Sequence, residues 1–355
     1  MITKEQIETP ALLIDLNVLE KNIKIMADYM QNKRSKLRPH FKTFKCATIA
    51  HKTISSGAKG ITCAKLGEAE VLVNAGIKDV LIANQIVDED KIFRLAGLAH
   101  GGSKITVAVD NEENITQLSR VASNVGSTIY VLIEVDVGMK RCGVNSAEEV
   151  LNLAKKISNS KGLSFEGIQA YEGHLGHNAN IEARHRGVQE MIEKIGKIKK
   201  YLEENGFNVN EISGGATGTY NITGENTIWT EIQAGSYVFM DTDYNRLGLS
   251  FENALTVLTM VIHKRTGYAI TDAGLKVCST DAGMPLIKSY LHLKLREEEE
   301  HGIILDTDDE LKYLQKIEYI PSHCCTTVNL HDRYYCIRNN MLESIWPIDG
   351  RGKSQ

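Results

Sequence analysis

Strand-like and helix-like segments alternate through the first 250 residues of this 355-residue chain. The predicted strands, in chain order, are Leu37–Lys42, Gly60–Lys65, Asp79–Asn84, Lys104–Asp110, Ile129–Asp136, Ser164–Tyr171, Val209–Ser213 and Thr230–Gly235. Helical spacing of apolar residues follows most of them, most clearly in Leu66–Ala75, Ala147–Ile157 and Ile181–Glu204. Such alternation favours a parallel sheet. Eight repeats within about 220 residues fit a TIM-type (β/α)8 barrel of the α/β class better than an open doubly wound sheet.

A different pattern begins near Phe251, where short strands follow one another without long helices. These predicted strands are Ala254–His263, Tyr268–Asp272, Lys316–Ile320 and Arg333–Arg338. They indicate a compact C-terminal β domain. The segment Pro10–Leu16 is also strand-like and could pair with that domain, because eight barrel strands are counted without it. The predicted domains are therefore a barrel over residues 18–250 and a β-rich domain made of residues 1–17 and 251–355.

Composition argues against several classes of protein. Hydrophobic residues make up 42% and charged residues 24% of the chain, as in ordinary globular proteins. A net charge of -4 gives no basic footprint for nucleic acid. Apolar runs fall short of the roughly 20 residues that a membrane helix needs, and the polar start at Met1 is unlike a signal peptide. Seven cysteines without a disulfide framework indicate a reducing, cytoplasmic setting. From the net charge and the short apolar runs, we expect neither a nucleic-acid nor a membrane partner.

Four cation-capable side chains are concentrated in the stretch Arg38–Lys45. In an extended strand, Arg38, His40 and Lys42 would lie on one face, because alternate side chains point to opposite faces. Such a face is costly to bury without a partner, so the stretch predicts a site for an anionic ligand. A lysine held there loses its proton more easily and can act as a nucleophile.

The C-terminal ends of the strands form the active site in TIM barrels, and Lys42 is predicted at such an end. Glycine-rich turns follow the seventh and eighth predicted strands. Their candidate phosphate-binding residues are Gly215, Thr217, Gly218, Thr219, Gly235, Ser236 and Tyr237. Backbone N–H groups in such turns can approach a phosphate, although a glycine-rich loop can also be an ordinary turn. A lysine together with a phosphate cradle indicates pyridoxal 5'-phosphate, with the lysine bound to the cofactor aldehyde.

A second group of reactive side chains occurs in Pro321–Cys325. His323 and Cys325 are two residues apart, so they share a face if the segment is extended. Imidazole and thiolate suit zinc, and two protein ligands would leave coordination positions for water or substrate. The alternative is that these side chains only pack.

Several of these segments resemble the group of D-threonine aldolase and D-serine dehydratase, which has the alanine-racemase-like (fold type III) architecture. The matching segments are Thr9–Asp15, Arg38–Lys45, Gly60–Glu70, Asp79–Asn84 and Pro321–Leu330. The resemblance implies a pyridoxal phosphate barrel, a C-terminal β domain and a homodimer. It also implies that Lys42 binds the cofactor covalently. A divalent metal (Mn, Mg or Zn) would be held by His323 and Cys325, which places the metal site in the β-rich domain.

Two branches of this group differ in their reaction. Three segments resemble the aldolase branch: Ser236–Tyr244, Asp272–Lys276 and Ser279–Gly283. The His-x-Cys pair instead resembles the dehydratase branch. The longer segments favour an aldolase that cleaves D-threonine and related D-β-hydroxy-α-amino acids to glycine and an aldehyde. The alternative is a D-serine dehydratase that forms pyruvate and ammonia, and a racemase or a non-catalytic cofactor carrier is less well supported.

Three further residues complete the predicted site. His174 is the candidate base that takes the proton of the substrate hydroxyl, with His177 or a metal-bound water as alternatives. Arg141 occupies the place where alanine-racemase-like barrels have an arginine near the phenolic oxygen of the cofactor, or it is a surface loop charge. Tyr171 lies near the pyridine ring of the cofactor, or it belongs to the core.

Overall fold

The structure, a computed structural model, describes residues 2–355. In chain order its strands are β1 (Ala11–Asp15), β2 (Lys36–Leu37), β3 (Ile61–Cys63), β4 (Asp79–Ile82), β5 (Lys104–Val109), β6 (Ile129–Glu134), β7 (Leu163–Ala170), β8 (Glu211–Gly214), β9 (Glu231–Ile232), β10 (Leu255–Arg265), β11 (Gly267–Thr271), β12 (Leu286–Ile287), β13 (Lys294–Glu297), β14 (Gly302–Asp306), β15 (Lys316–Ile320), β16 (Arg333–Arg338) and β17 (Met341–Pro347). Its α-helices are α1 (Leu16–Gln31), α2 (Ala47–Ser55), α3 (Leu66–Asn74), α4 (Glu89–His100), α5 (Glu112–Val125), α6 (Ala147–Ser158), α7 (Gly173–Gly176), α8 (Ile181–Glu204), α9 (Tyr220–Thr223), α10 (Thr242–Asn245) and α11 (Cys324–Val328). Short 3-10 turns cover Lys4–Gln6, Phe41–Thr43 and Ser236–Val238.

These elements form two compact units. The barrel unit comprises Ala27–Lys42, Ile49–Gly235 and Gly352–Gln355. The β unit comprises the residues up to Met26, Thr43–Thr48 and Ser236–Arg351. The predicted domain bounds, 18–250 against 1–17 with 251–355, stay a prediction, and Met1 lies outside the described residues. Within residues 2–355, no helix is both long enough and apolar enough to span a bilayer.

The barrel unit contains eight strands that pair in parallel, in the order β2-β9-β8-β7-β6-β5-β4-β3. A parallel bridge between His40 and Thr62 joins the residues after β2 to β3, and the Thr62 N–H donates to the Pro39 carbonyl at 2.9 Å. The sheet therefore closes on itself. The predicted α/β fold with a (β/α)8 barrel is confirmed.

The helices of the barrel unit follow the apolar spacing of the sequence. The helix α8 begins and ends where the pattern predicted, and it buries Val188, Ile195 and Leu202 on one face. The helix α6 is capped by Ser146, whose hydroxyl accepts from the Glu149 N–H while the Glu149 carboxylate accepts from the Ser146 N–H. This reciprocal capping satisfies two N–H groups that the helix itself leaves unpaired.

The first predicted strand is wrong in its extent. Leu37–Lys42 was expected to be continuous, but β2 ends at Leu37 and a 3-10 turn covers Phe41–Thr43. Pro39 explains the interruption, because proline has no N–H to donate to a strand ladder. Lys42 consequently lies on a turn that follows the strand.

An ion cluster fills the barrel at the end where the strands begin. The guanidinium of Arg38 binds Glu231, the first residue of β9, and Asp79, the first residue of β4, at 2.8 Å. The side chains of Arg38 and Glu231 are only 3% and 2% exposed. Buried charges persist only when they are paired and hydrogen-bonded, which both carboxylates provide for Arg38.

The β unit is built on a nine-stranded sheet whose main path is β13-β14-β11-β10-β1-β16-β17, with β15 paired to β10 and β12. The strand β1 pairs antiparallel with β10 and parallel with β16. The prediction that Pro10–Leu16 pairs with the C-terminal β domain is confirmed. Leu12, Ile14 and Val257 are fully buried in this region and supply its core.

Candidate active site

Lys42 lines a cavity of about 170 Å³ inside the barrel unit. The side chains that share this cavity come from different strand ends and include His40, Asn84, Arg141, Gln169, Tyr171 and Gln233. The Lys42 Nζ lies 5.7 Å from the centroid of the Tyr171 ring, and the guanidinium carbon of Arg141 lies 5.9 Å from the same centroid. Both distances are within the range of cation–π contacts. The structure thus brings together three of the predicted residues, Lys42, Arg141 and Tyr171.

The expectation of three cations on one face is wrong. Arg38 is neutralised by Glu231 and Asp79 and does not line the cavity. Burial, aided by the charges of Lys42 and Arg141, lowers the pKa of His40 well below its ordinary value, so its imidazole is neutral. The His40 Nδ1 instead accepts a hydrogen bond from the Lys42 N–H at 3.4 Å. Lys42 is therefore the residue of this stretch that presents an amine to the cavity.

Arg141 lies on the loop that follows β6, and its side chain is exposed. The Asp136 carboxylate holds this loop in place by accepting from the N–H groups of Gly138 (2.8 Å) and Lys140 (3.1 Å). Burial acts to raise the pKa of Asp136, but these backbone hydrogen bonds outweigh it, so the pKa lies below its ordinary value. An ionised Asp136 thus fixes the loop that carries Arg141.

The glycine-rich loop after β8 is organised by a carboxylate that the sequence pattern did not single out. Glu172 is fully buried and accepts from the Gly215 N–H (2.9 Å), the Thr219 hydroxyl (2.7 Å) and the Thr223 hydroxyl (2.9 Å). Gly215 also has φ = +83°, a conformation that favours glycine. A phosphate contact by Gly215 or Thr219 would therefore compete with Glu172. Thr217 and Gly218 are buried in the same loop.

His174 lies on the short helix α7 and is exposed, outside the residues that line the Lys42 cavity. Its imidazole packs against Gly138, where an added Cβ would come within 2.8 Å of the His174 Nε2. His177, at the end of α7, is half-buried. The structure therefore does not bring His174 into the group formed by Lys42, Arg141 and Tyr171.

The remaining predicted phosphate residues lie around the end of β9. Gly235 is buried in the barrel unit, three residues after the end of that strand. Ser236 and Tyr237 begin a 3-10 turn of the β unit. The Tyr237 side chain is fully buried, and its ring packs against Phe251 with 5.6 Å between centroids. Tyr237 is therefore part of the core of the β unit.

His323 and Cys325 are close together in the β unit, but not for the reason that their spacing suggested. The segment is not extended throughout, because His323 is the N-cap of α11 and Cys325 lies in its first turn. Burial lowers the pKa of His323, but the hydrogen bond and charge of Cys325, together with Asp281, raise it to about 10. The Cys325 thiol also donates to the Thr43 hydroxyl at 3.4 Å.

Asp281 orients the imidazole of His323. One carboxylate oxygen of Asp281 binds the His323 Nδ1 at 2.7 Å, and the other accepts from the hydroxyls of Ser279 and Thr326, both at 2.7 Å. This arrangement leaves Nε2 as the imidazole nitrogen that can bind a metal. Among the described residues, no group of three or more His, Cys, Asp and Glu side chains is arranged to hold a metal ion. His323 and Cys325 therefore form a close pair, and Asp281 orients the imidazole of His323.

Several polar residues of these sites were missed by sequence reasoning. Gln169 and Gln233 line the cavity, Glu134 accepts from Gln169, and Glu172 and Asp281 bind residues that were predicted to act. For the four in the barrel unit, the one signal in the sequence is a polar residue near the end of an apolar strand, as in Glu134 after Val131-Leu132-Ile133.

Comparisons with known proteins agree with this architecture. The family model described as "Alanine racemase, N-terminal domain" matches residues 14–243, and the "Putative serine dehydratase domain" model matches residues 254–337. The chain is 38% identical to 3-hydroxy-D-aspartate aldolase from Paracoccus denitrificans (strain Pd 1222) and 37% identical to D-threonine aldolase from Arthrobacter sp, with 99% of this chain and 94% of each relative covered. The crystal structure of D-threonine aldolase from Filomicrobium marinum superposes with a TM-score of 0.96 at 35% identity, covering 99% of this chain and 98% of that one.

Proposed function

This chain belongs to the alanine racemase N-terminal domain family, and we propose that it is a carbon–carbon lyase that cleaves D-configured β-hydroxy-α-amino acids, D-threonine among them, to glycine and an aldehyde. The observation that carries the proposal is the full-length similarity to two aldolases that act on such amino acids. The Lys42 cavity supports it, because a lysine among polar side chains suits covalent catalysis on an amino acid. We further propose that the protein is a homodimer and is cytoplasmic.

The residues of the barrel unit fit pyridoxal 5'-phosphate. Lys42 supplies the amine that would hold the cofactor, and Arg141 and Tyr171 lie within 6 Å of one another in the same cavity. The glycine-rich loop that follows β8 is at a place where barrels often bind phosphate. We assign the phosphate to Thr217 and Gly218 of this loop together with Gly235 of the same unit, because Glu172 already accepts from the Gly215 N–H and the Thr219 hydroxyl.

The donor set of the β unit fits a divalent metal. The His323 Nε2 and the Cys325 sulfur would hold it, and a two-ligand site leaves positions for water or substrate. When bound, the cofactor supplies an electron sink for breaking the Cα–Cβ bond, and the metal supplies a Lewis acid for the β-hydroxyl. The imidazole of His174 or of His177 would accept the proton from the β-hydroxyl oxygen.

A second candidate function is D-serine dehydration. Two observations favour it: the match of residues 254–337 to the serine dehydratase domain and the His-x-Cys pair at His323 and Cys325. In that reaction the β-hydroxyl departs, and Lys42 Nζ would take the proton from Cα.

Product analysis distinguishes the two reactions. The protein is incubated with pyridoxal phosphate, a divalent metal and D-threonine, D-serine or 3-hydroxy-D-aspartate in separate reactions. We expect glycine with acetaldehyde from D-threonine, and glycine with glyoxylate from 3-hydroxy-D-aspartate, whereas L-threonine should remain intact. Pyruvate and ammonia from D-serine, with no glycine from the other two substrates, would overturn the aldolase proposal in favour of the dehydratase.

Metal binding can be measured without reference to activity. In His323→Ala the metal should bind too weakly to detect by calorimetry, because one of two protein ligands is gone. In Asp281→Asn the affinity for the metal should fall by about 10- to 100-fold, since the carboxylate no longer fixes the imidazole. Glu310→Gln is a matched control, because Glu310 contacts the exposed His292 elsewhere in the β unit. Unchanged affinity in both His323→Ala and Asp281→Asn would rule out this metal site.

A further inference from the structure

A line of polar side chains crosses the inside of the barrel where apolar residues are the rule. Glu134 at the end of β6 pairs in register with Gln169 of β7, and Gln169 pairs in register with Ser213 of β8. Gln233 follows the end of β9. All four are nearly inaccessible to solvent, with exposures of 6%, 1%, 0% and 4% in the order Glu134, Gln169, Ser213, Gln233. The preceding residues of the three strands, Ile133, Ile168 and Ile212, are fully buried on the opposite face of the sheet.

The hydrogen bonds along this line have a fixed direction. The Gln169 side-chain amide donates to the Glu134 carboxylate. The Gln233 amide nitrogen in turn donates to the Gln169 carbonyl oxygen at 3.1 Å and to the Ser213 hydroxyl at 2.9 Å. An ionised carboxylate can only accept, so it forces Gln169 to present its N–H and keep its carbonyl for Gln233. Because both N–H groups of Gln233 are then used, the carbonyl is the polar group that Gln233 can offer to the cavity.

A protonated Glu134 permits the opposite arrangement. Its O–H can donate to the Gln169 carbonyl, after which both amides turn over and Gln233 presents an N–H in place of a carbonyl. Gln169 and Gln233 line the same cavity as Lys42, whereas Glu134 does not. The carboxyl group therefore reaches the cavity only through the two amides.

We propose that Glu134 is a positioning residue, which acts through Gln169 to determine whether Gln233 presents its carbonyl or its N–H to the occupant of the Lys42 cavity. The role rests on the proposed function in so far as that occupant is pyridoxal phosphate. This role would explain why the barrel contains a buried carboxyl group whose desolvation is otherwise only unfavourable.

The surroundings of Glu134 place the titration of its carboxyl group near neutral pH. Burial raises its pKa to about 7, against the hydrogen bond from Gln169 and the charge of Arg141, which lower it. Asp110 after β5 and Asp136 after β6 also face Glu134 and add to the increase. Cys142 is the other titratable neighbour on the loop that carries Arg141. Ionised Glu134 thus dominates above about pH 7 and neutral Glu134 below it.

The test compares cofactor binding in three forms of the protein between about pH 5.5 and pH 8.5, which brackets the titration. The dissociation constant of pyridoxal phosphate is measured for the wild type, for Glu134→Gln, which is neutral at every pH, and for Glu166→Gln. Glu166 lies on the same strand as Gln169 but pairs with Lys104, so it is the matched control. The ratio of the Glu134→Gln constant to the wild-type constant should be near one at the acid end and change by about 10-fold across the midpoint near pH 7.

A purely structural role would give a different result. It would leave the Glu134→Gln ratio, like the Glu166→Gln ratio, constant across the pH range, and that outcome would overturn the inference. In Glu134→Asp, which keeps a titrating carboxyl, the dissociation constant of pyridoxal phosphate should keep the pH-dependent step of the wild type. If pyridoxal phosphate does not bind the wild type at any pH, the proposed function fails instead.

A second measurement needs no cofactor. The side-chain amide signals of Gln169 and Gln233 in the NMR spectrum of the apoprotein, assigned by their loss in Gln169→Met and Gln233→Met, should shift with a midpoint near pH 7. Signals that do not move over this range would contradict the inference independently of any variant at position 134.

Discussion

Replacing Lys42 with alanine should abolish both the covalently held cofactor and the lyase activity. Lys42 supplies the primary amine of the cavity that also contains Arg141 and Tyr171. Without that amine there is no covalent attachment, and activity should fall by about 10³-fold or more, as when other nucleophiles are removed. The measurement is reduction of the cofactor-loaded protein with borohydride, followed by mass spectrometry of the peptide that carries the cofactor, and an assay of glycine release.

Lys45 provides the matched comparison, because it is the other lysine of the same sequence stretch. It is buried in the β unit at 6% exposure, and its ammonium donates to the Asn329 side chain at 2.8 Å. The cofactor adduct should therefore persist in Lys45→Ala and be found on Lys42. An adduct that persists in Lys42→Ala and disappears in Lys45→Ala would refute the assignment of the cofactor lysine.

Periodic patterns in the sequence were sufficient to predict the barrel. The helices α3, α6 and α8 begin at the predicted residues, because apolar side chains at helical spacing must face a single core. The pattern failed in Leu37–Lys42, where alternation suggested a strand and Pro39 prevented one. The pattern also failed at His323 and Cys325, which are close together because a helix begins there and not because the segment is extended. Both errors arise because local alternation does not report which backbone groups find hydrogen-bond partners.

The polar groups that shape the candidate site could not be predicted because their partners are distant in the sequence. Glu172 matters because the chain brings Gly215, Thr219 and Thr223 to it, some 43 to 51 residues away in sequence. Glu134 likewise acquires its raised pKa from burial, which outweighs the lowering effect of the hydrogen bond from Gln169. Neither effect is encoded in the neighbouring residues, so only the fold reveals it. The same holds for Arg38, because nothing in the sequence indicates that Glu231 and Asp79 neutralise its charge.

Replacing Arg38 with methionine should cause the largest loss of stability among single changes in the barrel unit. The change leaves the Glu231 carboxylate, whose side chain is 2% exposed, with Lys59 at 3.6 Å as its remaining cation. Removing one partner of a buried ion pair strands the other charge in a poorly solvating interior. The free energy of unfolding should fall by about 3 kcal/mol or more, as measured by urea denaturation followed by circular dichroism.

This loss of stability is expected only for a buried ion pair, so an exposed ion pair serves as the control. Arg94 binds Glu70 at 2.5 Å, but their side chains are 44% and 28% exposed, so Arg94→Met should cost less than about 1 kcal/mol. Adding Glu231→Gln to Arg38→Met should recover part of the stability, since the uncompensated charge is then removed as well. Equal effects of Arg38→Met and Arg94→Met, or no recovery in the double variant, would show that the barrel does not depend on neutralising Glu231. If the two effects are equal, Arg38 stabilises the strands through packing of its hydrocarbon stem, because a methionine fills much of the same volume and preserves that contact.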